Sequence, residues 1–482
     1  MAYLTSVGME VHAELLTETK MFCGCLNRFG GEVNTRVCPV CLALPGALPY
    51  INRRAVEHVL RTALALNCQI AMRSLFHRKN YFYPDLPKGY QLSQYEETNP
   101  IGFAGYLVIP AGDDGLATKR VRLRRVHLEE DTGKLMHLPS GGSGVDCNRA
   151  GVPLMEIVTD FPPDIHTPDE AREYLQQLRL LLVYLGVCDG KMEQGSLRCE
   201  PNISIAEESA EKLGVKTELK NLGSFRAVAS GIRHEETRMA EELGRGNVLK
   251  QETRGWNEDK ETSFVMRVKE QEQDYRYFTD PDLPPMVFTE EYIETLRANL
   301  PELPVQKRQR YIEDLGLSAY DAGVLVADRE WAEFFDWAVE DGGDPKQVCN
   351  WMNGDFARLL NEDKLTVSES KVRPSHIVNI VNLVESGAIN GKTAKEVFER
   401  TYKSGVLPAE IIESEGLSQI SDTGAILHAV QEAIKENPDA VDKFKEGKTN
   451  IKGFFVGKVM QKTKGRANAE IVSQLLDAEL SK

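Results

Sequence analysis

The stretch RVHLEEDTGKLMHLPSGGSGVDCNRAGVPLMEIVTD, residues 125–160, packs His127, Glu129, Glu130, Asp131, Asp146 and Glu156 among apolar segments. VPLMEIV alternates, so Val152, Leu154, Glu156 and Val158 are expected on one face of a strand. An acid on the apolar side of a strand is costly unless something pairs with it. Two partners meet that need: an arginine inside the core, or a divalent cation shared with Glu130 and other acids. Hard cations take several oxygens, and carboxylates around Mg²⁺ with substrate phosphates are a recurring phosphoryl-transfer arrangement.

Working outward, TSVGMEVHAEL also has a period of two: Val7, Met9 and Val11 face one way, and Glu10, His12 and Glu14 the other. Glu10 and His12 can reach one ion, or they line a solvated face. SLRCEPNISI repeats the pattern, with Arg198, Glu200, Asn202 and Ser204 on the polar side. KTELKNL adds Lys216, Glu218 and Lys220. Residues 76–95, FHRKNYFYPDLPKGYQLSQY, set Arg78, Lys79 and Lys88 among four tyrosines and Phe82. Cations with rings suit a nucleotide, the charges taking phosphates and the rings stacking on the base; an aromatic core edge with snorkelling lysines is the alternative.

Cys23-Gly-Cys25 and Cys38-Pro-Val-Cys41 have the spacing of a four-cysteine zinc site. Four thiolates leave no open position, so such a zinc is structural. Asn52 is expected to cap a helix with Val56, Val59, Ala63 and Leu66 on its apolar face. Thr167-Pro168-Asp169-Glu170 reads as a capping box before a helix that buries Tyr174, Leu178, Leu181, Leu182 and Leu185.

Beyond about residue 290 the strand patterns stop and helical spacing takes over, as in SHIVNIVNLVESGAI with Ser375 as the expected cap. A break near Ser404–Leu407 separates a middle helical part from a last one. Residues 443–466 carry seven lysines and one arginine against one glutamate, on a chain of net charge −15. Within IKGFFVGKVM, Ile451, Phe454, Phe455 and Val459 are expected to be buried, leaving the lysines outward. A single-signed basic run on an acidic protein is the footprint of nucleic-acid binding.

A chain of 482 residues implies several domains, and 41% hydrophobic with 27% charged residues is ordinary for a globular protein. Met1–Glu14 lacks the basic start and apolar run of a signal peptide, and no stretch approaches a membrane span. Nine cysteines without a leader point to a reducing compartment, the cytoplasm. The fold class is therefore α+β: a mixed, largely antiparallel cradle over 1–292, then two all-helical domains, 293–407 and 408–482.

GMEVHAEL, RKNYFYPDLPKGYQLSQY, HLEEDTGK, DCNRAGVPLMEIV, MEQGSLRC, TELKNL, DYRYF and GKVMQKTKGRAN, in that order, resemble the B subunits of bacterial Asp/Glu-tRNA amidotransferases (GatB/GatE family, GatCAB complex). The resemblance covers essentially the whole chain. It implies a kinase-like cradle, ATP and Mg²⁺ dependence, and phosphorylation of the side-chain carboxylate of Glu or Asp mischarged on tRNA(Gln) or tRNA(Asn). Ammonia then displaces the phosphate; its source is the glutaminase, or GatA, partner of a heterotrimer completed by the small GatC protein. By that resemblance His12, Glu130 and Glu156 hold the catalytic Mg²⁺, with Glu10 beside them. Glu200, where the family often has Asp, joins as a further ligand. Gly223 stands where an Asn is common.

Lys79, Lys88, Arg198 and Tyr81 are then the ATP contacts. Cys23, Cys25, Cys38 and Cys41 take zinc. Lys448, Lys452, Lys458, Lys462, Lys464 and Arg466, with Lys445 before them, meet tRNA phosphates. Two other readings use the same residues: a free-standing carboxylate–amine ligase and a non-catalytic tRNA-binding scaffold.

Overall fold

The computed structural model describes residues 3–95, 100–111, 117–138, 141–268, 274–417, 419, 422–445, 451–463 and 465–481. The first strand, Tyr3–Glu14, is central in a nine-stranded sheet. Its period of two is decisive: Val7, Met9, Val11 and Ala13 are fully buried, while Glu10, His12 and Glu14 stay partly exposed on the other face. Across the sheet the strand order is Thr262–Val268, Glu252–Asn257, Thr217–Lys220, Leu197–Glu207, Tyr3–Glu14, Pro153–Thr159, Ala117–Glu130, Gly102–Ala111 and Gln69–Ile70. All neighbours are antiparallel except Thr217–Lys220 beside Glu252–Asn257. The α+β expectation holds.

Three helices, Arg53–Ala65, Pro168–Tyr184 and Phe225–Gly244, contribute Val59, Leu178 and Ile232 to a core shared with Val7, Val11, Met155 and Ile157 of the sheet. Asn52 caps the first of them, accepting from the Arg54 and Ala55 amides. Thr167 caps the second through the Glu170 amide, but only half of the capping box forms. The Glu170 carboxylate turns instead to the His166 amide and to Lys119.

Leu154, Glu156 and Val158 do share a face, but it is the open one; Met155 and Ile157 meet the helices. Both faces of this strand are apolar-rich, so alternation alone does not say which side is the core.

The chain divides into two compact units between Pro304 and Val305, not at 292/293, because Ile293 and Leu296 of the Glu290–Ala298 helix belong to the sheet core. The second unit is helical, with one core from Tyr311 to Ile412 and another from Ile426 to Leu480. Gly405, in the left-handed region, ends the Gly391–Ser404 helix, and Pro408 starts the next, whose Ile411 and Ile412 still belong to the earlier core. The break at 404–407 is thus a turn inside that core. The helix expected to start at Ser375 starts at Pro374 with Arg373 as cap, as proline at the first helical position favours.

Candidate active site

Register builds the site. His127, Glu156, His12 and Arg198 lie opposite one another on four successive strands. The next pair toward one end of the sheet is Glu10 opposite Glu200. All of these side chains leave the open face and line a cavity of about 720 Å³. Its other wall is aromatic. Tyr95 stacks on Tyr277 at 4.6 Å between centroids, and Tyr81 and Tyr275 meet edge to face. The strand His77–Asn80 and the pair Phe278–Thr279 present these rings.

At the centre, His127 Nε2 is 2.9 Å from Glu156 Oε2 and 3.7 Å from Glu129 Oε2. His12 Nε2 is 3.4 Å from Glu129 Oε1 and 3.9 Å from Glu156 Oε1. Ser93 donates to Glu129 Oε2 at 3.2 Å. His127, Glu129 and Glu156 can each offer one atom within 4.8 Å of the others, so two carboxylates and an imidazole, with His12 at the rim, match the donor set of a divalent cation.

Burial would raise the Glu156 carboxyl; His127, with its charge and hydrogen bond, then His12 and Arg125, hold it well below the usual range. Burial would lower His127, and Glu156 and Glu129 raise it instead. Glu10 is raised, first by burial and then by Glu156 and Glu200. A buried carboxylate that its neighbours disfavour marks a place where positive charge is wanted.

The sequence-predicted residues sort plainly. His12, Glu10, Glu156 and Glu200 all line this cavity. Glu10 accepts from Asn202 at 3.1 Å and Glu200 from Lys220 at 2.5 Å, one row away from the histidine–carboxylate cluster. Glu130 does not join them. It pairs with Pro153 across the ladder, on the opposite face from Glu129. There it binds Lys88 and the Leu92 amide, beside a separate cavity of about 230 Å³. The expectation for Glu130 is corrected by one residue: Glu129 occupies the cluster. Lys88, expected on ATP, is held by Glu130 on that other side.

Lys79, Tyr81 and Arg198 do line the main cavity. Lys79 lies 4.9 Å from the Tyr275 ring centroid; burial would lower its ammonium, and Glu129 first among its neighbours raises it. Arg198 donates to Asp131 at 2.6 Å.

Glu129, His127, Asp131, Arg125, Tyr275 and Tyr277 are site residues that the sequence reading does not single out as ligands or contacts. The signal exists. In RVHLEE the apolar Val126 and Leu128 fix the core parity, which assigns 125, 127 and 129 to the polar face and 130 to the other. DYRYF alternates in the same way.

The loop before the first helix gathers Cys23, Cys25, Cys38 and Cys41, whose sulfurs lie within 4.8 Å of one another. The Cys38 amide donates to Cys41 Sγ at 3.1 Å. A hydrogen bond with Cys23, against burial and with help from the Cys38 amide and Lys20, draws the Cys41 thiol down to about 4. The same hydrogen bond, with burial, raises the Cys23 thiol, so one proton is shared between the two; four sulfurs in tetrahedral number fit a structural metal.

In the last helices Phe455 and Val459 are buried as expected, but Phe454 is 45% exposed and carries Lys458 over its ring. Lys452 pairs with Asp477, and Lys462 with Glu432 and Glu436. Arg466 donates to the Gly416 carbonyl. The basic run is therefore partly neutralised by neighbouring helices. Lys448 and Lys464 lie outside the described residues, as does the side chain of Lys445. Among the described residues no helix is long and apolar enough to cross a membrane.

Comparison with known proteins follows the same division of the chain. Residues 5–294 match the GatB/GatE catalytic domain family and residues 333–480 match the GatB domain family. The B subunit of aspartyl/glutamyl-tRNA(Asn/Gln) amidotransferase from Thermodesulfovibrio yellowstonii is 49% identical over 99% of both chains. Its counterpart from Caldanaerobacter subterraneus subsp. tengcongensis is 48% identical over the full length of both. One from Persephonella marina is 48% identical over 98% of both. With its catalytic-domain match spanning the cleft-bearing sheet and its relatives aligned end to end, the chain belongs to the family of aspartyl/glutamyl-tRNA(Asn/Gln) amidotransferase B subunits.

Proposed function

We propose that the main cavity phosphorylates the side-chain carboxylate of Glu or Asp on mischarged tRNA(Gln) or tRNA(Asn), and that ammonia then converts the acyl phosphate to the amide. The observation that carries this reading is the juxtaposition in one cleft of a carboxylate–imidazole cluster, two cations and a tyrosine wall. As a family member the chain is one part of an amidotransferase, and the cleft is where such chemistry finds its groups.

His127, Glu129 and Glu156 would hold Mg²⁺, with His12 at the rim. When bound, Mg²⁺ neutralises phosphate oxygens and screens them from the attacking carboxylate. The chain's own groups do the rest. Lys79 and Arg198 are partly buried cations that can take phosphate or carboxylate oxygens. Tyr81, Tyr275 and Tyr277 offer faces for the adenine. His127 and Ser93 fix the Glu129 and Glu156 carboxylates.

The first step moves the γ-phosphoryl group of ATP to a carboxylate oxygen and releases ADP. In the second, ammonia attacks the carbonyl carbon, phosphate leaves with that oxygen, and a proton is lost. The acceptor is already an anion, so the first step needs no strong general base. Ammonia comes from the glutaminase partner GatA, in a cytoplasmic heterotrimer with the small GatC protein; zinc in the four-cysteine site is structural. The helical tail contributes part of the tRNA affinity.

The test is ADP formation by the reconstituted complex with ammonium chloride in place of glutamine. One ADP per amide, dependent on mischarged tRNA and lost in Glu156→Gln, supports the reading. Amide formation without ADP ends it.

A further inference from the structure

Lys20 is fully buried. Its ammonium donates to the Cys147 carbonyl at 3.0 Å, and among the described residues no carboxylate pairs with it. Glu130 Oε2 also lies against Gly151, 3.9 Å from where a Cβ would sit, but that carboxylate is engaged by Lys88. A buried ammonium without a counter-anion is expensive, so something nearby must carry negative charge. The four-cysteine cluster stands there. Lys20 Cδ and Cys41 Cβ both lie against Gly151, within 3.9 Å and 3.8 Å of where a Cβ on that glycine would sit. The Lys20 amide also donates to the Cys25 carbonyl at 2.9 Å, so the lysine's backbone belongs to the same knuckle.

We propose that Lys20 is the counter-cation of the four-cysteine metal site, a positioning residue that stands beside the metal-loaded cluster. This rests on the zinc reading of those cysteines. A zinc tetrathiolate carries two negative charges; one buried lysine halves the burden of holding them in a low-dielectric site. The same lysine ties the site to the sheet. Through the Cys147 carbonyl, and through Met21 donating to the Gly151 carbonyl at 2.7 Å, it clamps the turn that leads into the Pro153–Thr159 strand and Glu156.

The dependence is reciprocal. Without metal the cluster gives Lys20 no counter-charge; metal-loaded, it needs Lys20. The full-length chain is titrated with Zn²⁺ against a chromophoric chelator, as wild type and as Lys20→Met, and both are melted zinc-loaded and chelator-stripped. The expected result is a 10- to 100-fold weaker Zn²⁺ affinity in the variant, the usual scale for groups just outside a metal's ligands. The zinc-loaded variant should melt below wild type, and the stripped variant at or above stripped wild type.

Affinity within twofold of wild type overturns the proposal. So does a variant that melts equally lower in both forms, because that would make Lys20 a packing residue. A wild type that takes up no Zn²⁺ ends the zinc reading and this inference with it; a zinc-binding wild type with an equally competent variant ends this inference alone.

Discussion

Replacing Glu129 with glutamine keeps the side chain's shape and removes one of two carboxylates from the centre of the cleft. In the folded chain that carboxylate sits 3.4 Å from His12 Nε2, 3.7 Å from His127 Nε2 and within reach of the Ser93 hydroxyl at 3.2 Å. A unit charge about 4 Å away at an effective dielectric of about 20 is worth about 4 kcal/mol, and losing one preorganised group at a developing charge costs about 2.7 kcal/mol or more. Phosphoryl transfer should therefore fall by roughly 100- to 1,000-fold.

The internal control is the neighbouring acid. Glu130→Gln leaves Lys88 without its partner on the other side of the strand, so it should lower stability by roughly 3 kcal/mol while leaving single-turnover chemistry within about tenfold of wild type. The assay is single-turnover ADP release by the reconstituted complex with mischarged tRNA and ammonium chloride, beside melts and tRNA anisotropy for both variants. Near-normal chemistry in Glu129→Gln, together with loss in Glu130→Gln, would refute the parity argument and return the ligand role to Glu130.

Metal analysis of the purified chain should give one zinc per chain, and Cys41→Ser should lose it while costing more stability than intrinsic chemistry; four freely reactive thiols and no zinc would be the contrary finding. Glu14 has its carboxyl raised to about 8, by burial first and then by Asp131, with which it shares a hydrogen bond. Its folded value lies above its unfolded one, so the associated stability is complete below about pH 4.5 and is lost as pH rises through about 8. Glu14→Gln should thus flatten the pH dependence of stability between those limits and gain roughly 2 kcal/mol at pH 8, less than the full shift because the pair with Asp131 titrates together. Urea melts at pH 5 and pH 8 check this, and a variant equally destabilised at both would contradict it. Removing residues 422–482 spares the core that ends with Ile412, so the remainder should fold and still turn over ATP. It should bind tRNA weakly, with the slope of log K against log salt flattened by roughly two units. Equal slopes in an anisotropy titration would deprive the tail of that role.

Much of the fold is legible because the strands that matter carry a clean alternation. Tyr3–Glu14 and Leu197–Glu207 put Val11 and Ile203 into the core and His12 and Asn202 on the open face, as a period of two requires. The Pro153–Thr159 strand is ambiguous because both of its faces are rich in apolar residues. Glu130 is easily misplaced because a run of three acids, Glu129 to Asp131, hides the parity that the adjacent Val126 and Leu128 reveal. The helices at Glu290–Ala298 and Pro408–Glu415 pack with the core before them, since a short helix joins whichever core its apolar side chains reach, and local patterns do not show the neighbour. The tail's charge is readable, but its pairing is not: Asp477, Glu432 and Glu436 come from other helices. The tyrosine wall escapes a local reading because its two halves are almost two hundred residues apart, Tyr81 meeting Tyr275 only in the folded chain.

The central claim is that the cleft makes an acyl phosphate on the amino acid carried by tRNA. The measurement that tests it most directly uses Glu-tRNA(Gln) labelled with ¹⁸O in both side-chain carboxylate oxygens, turned over by the reconstituted complex with ATP and ammonium chloride. Mass analysis of the released phosphate should find one ¹⁸O per amide formed, because the bond between carbon and that oxygen is the one that breaks. Unlabelled phosphate alongside normal amide formation would mean that ATP is consumed elsewhere and that the cleft does not activate the carboxylate.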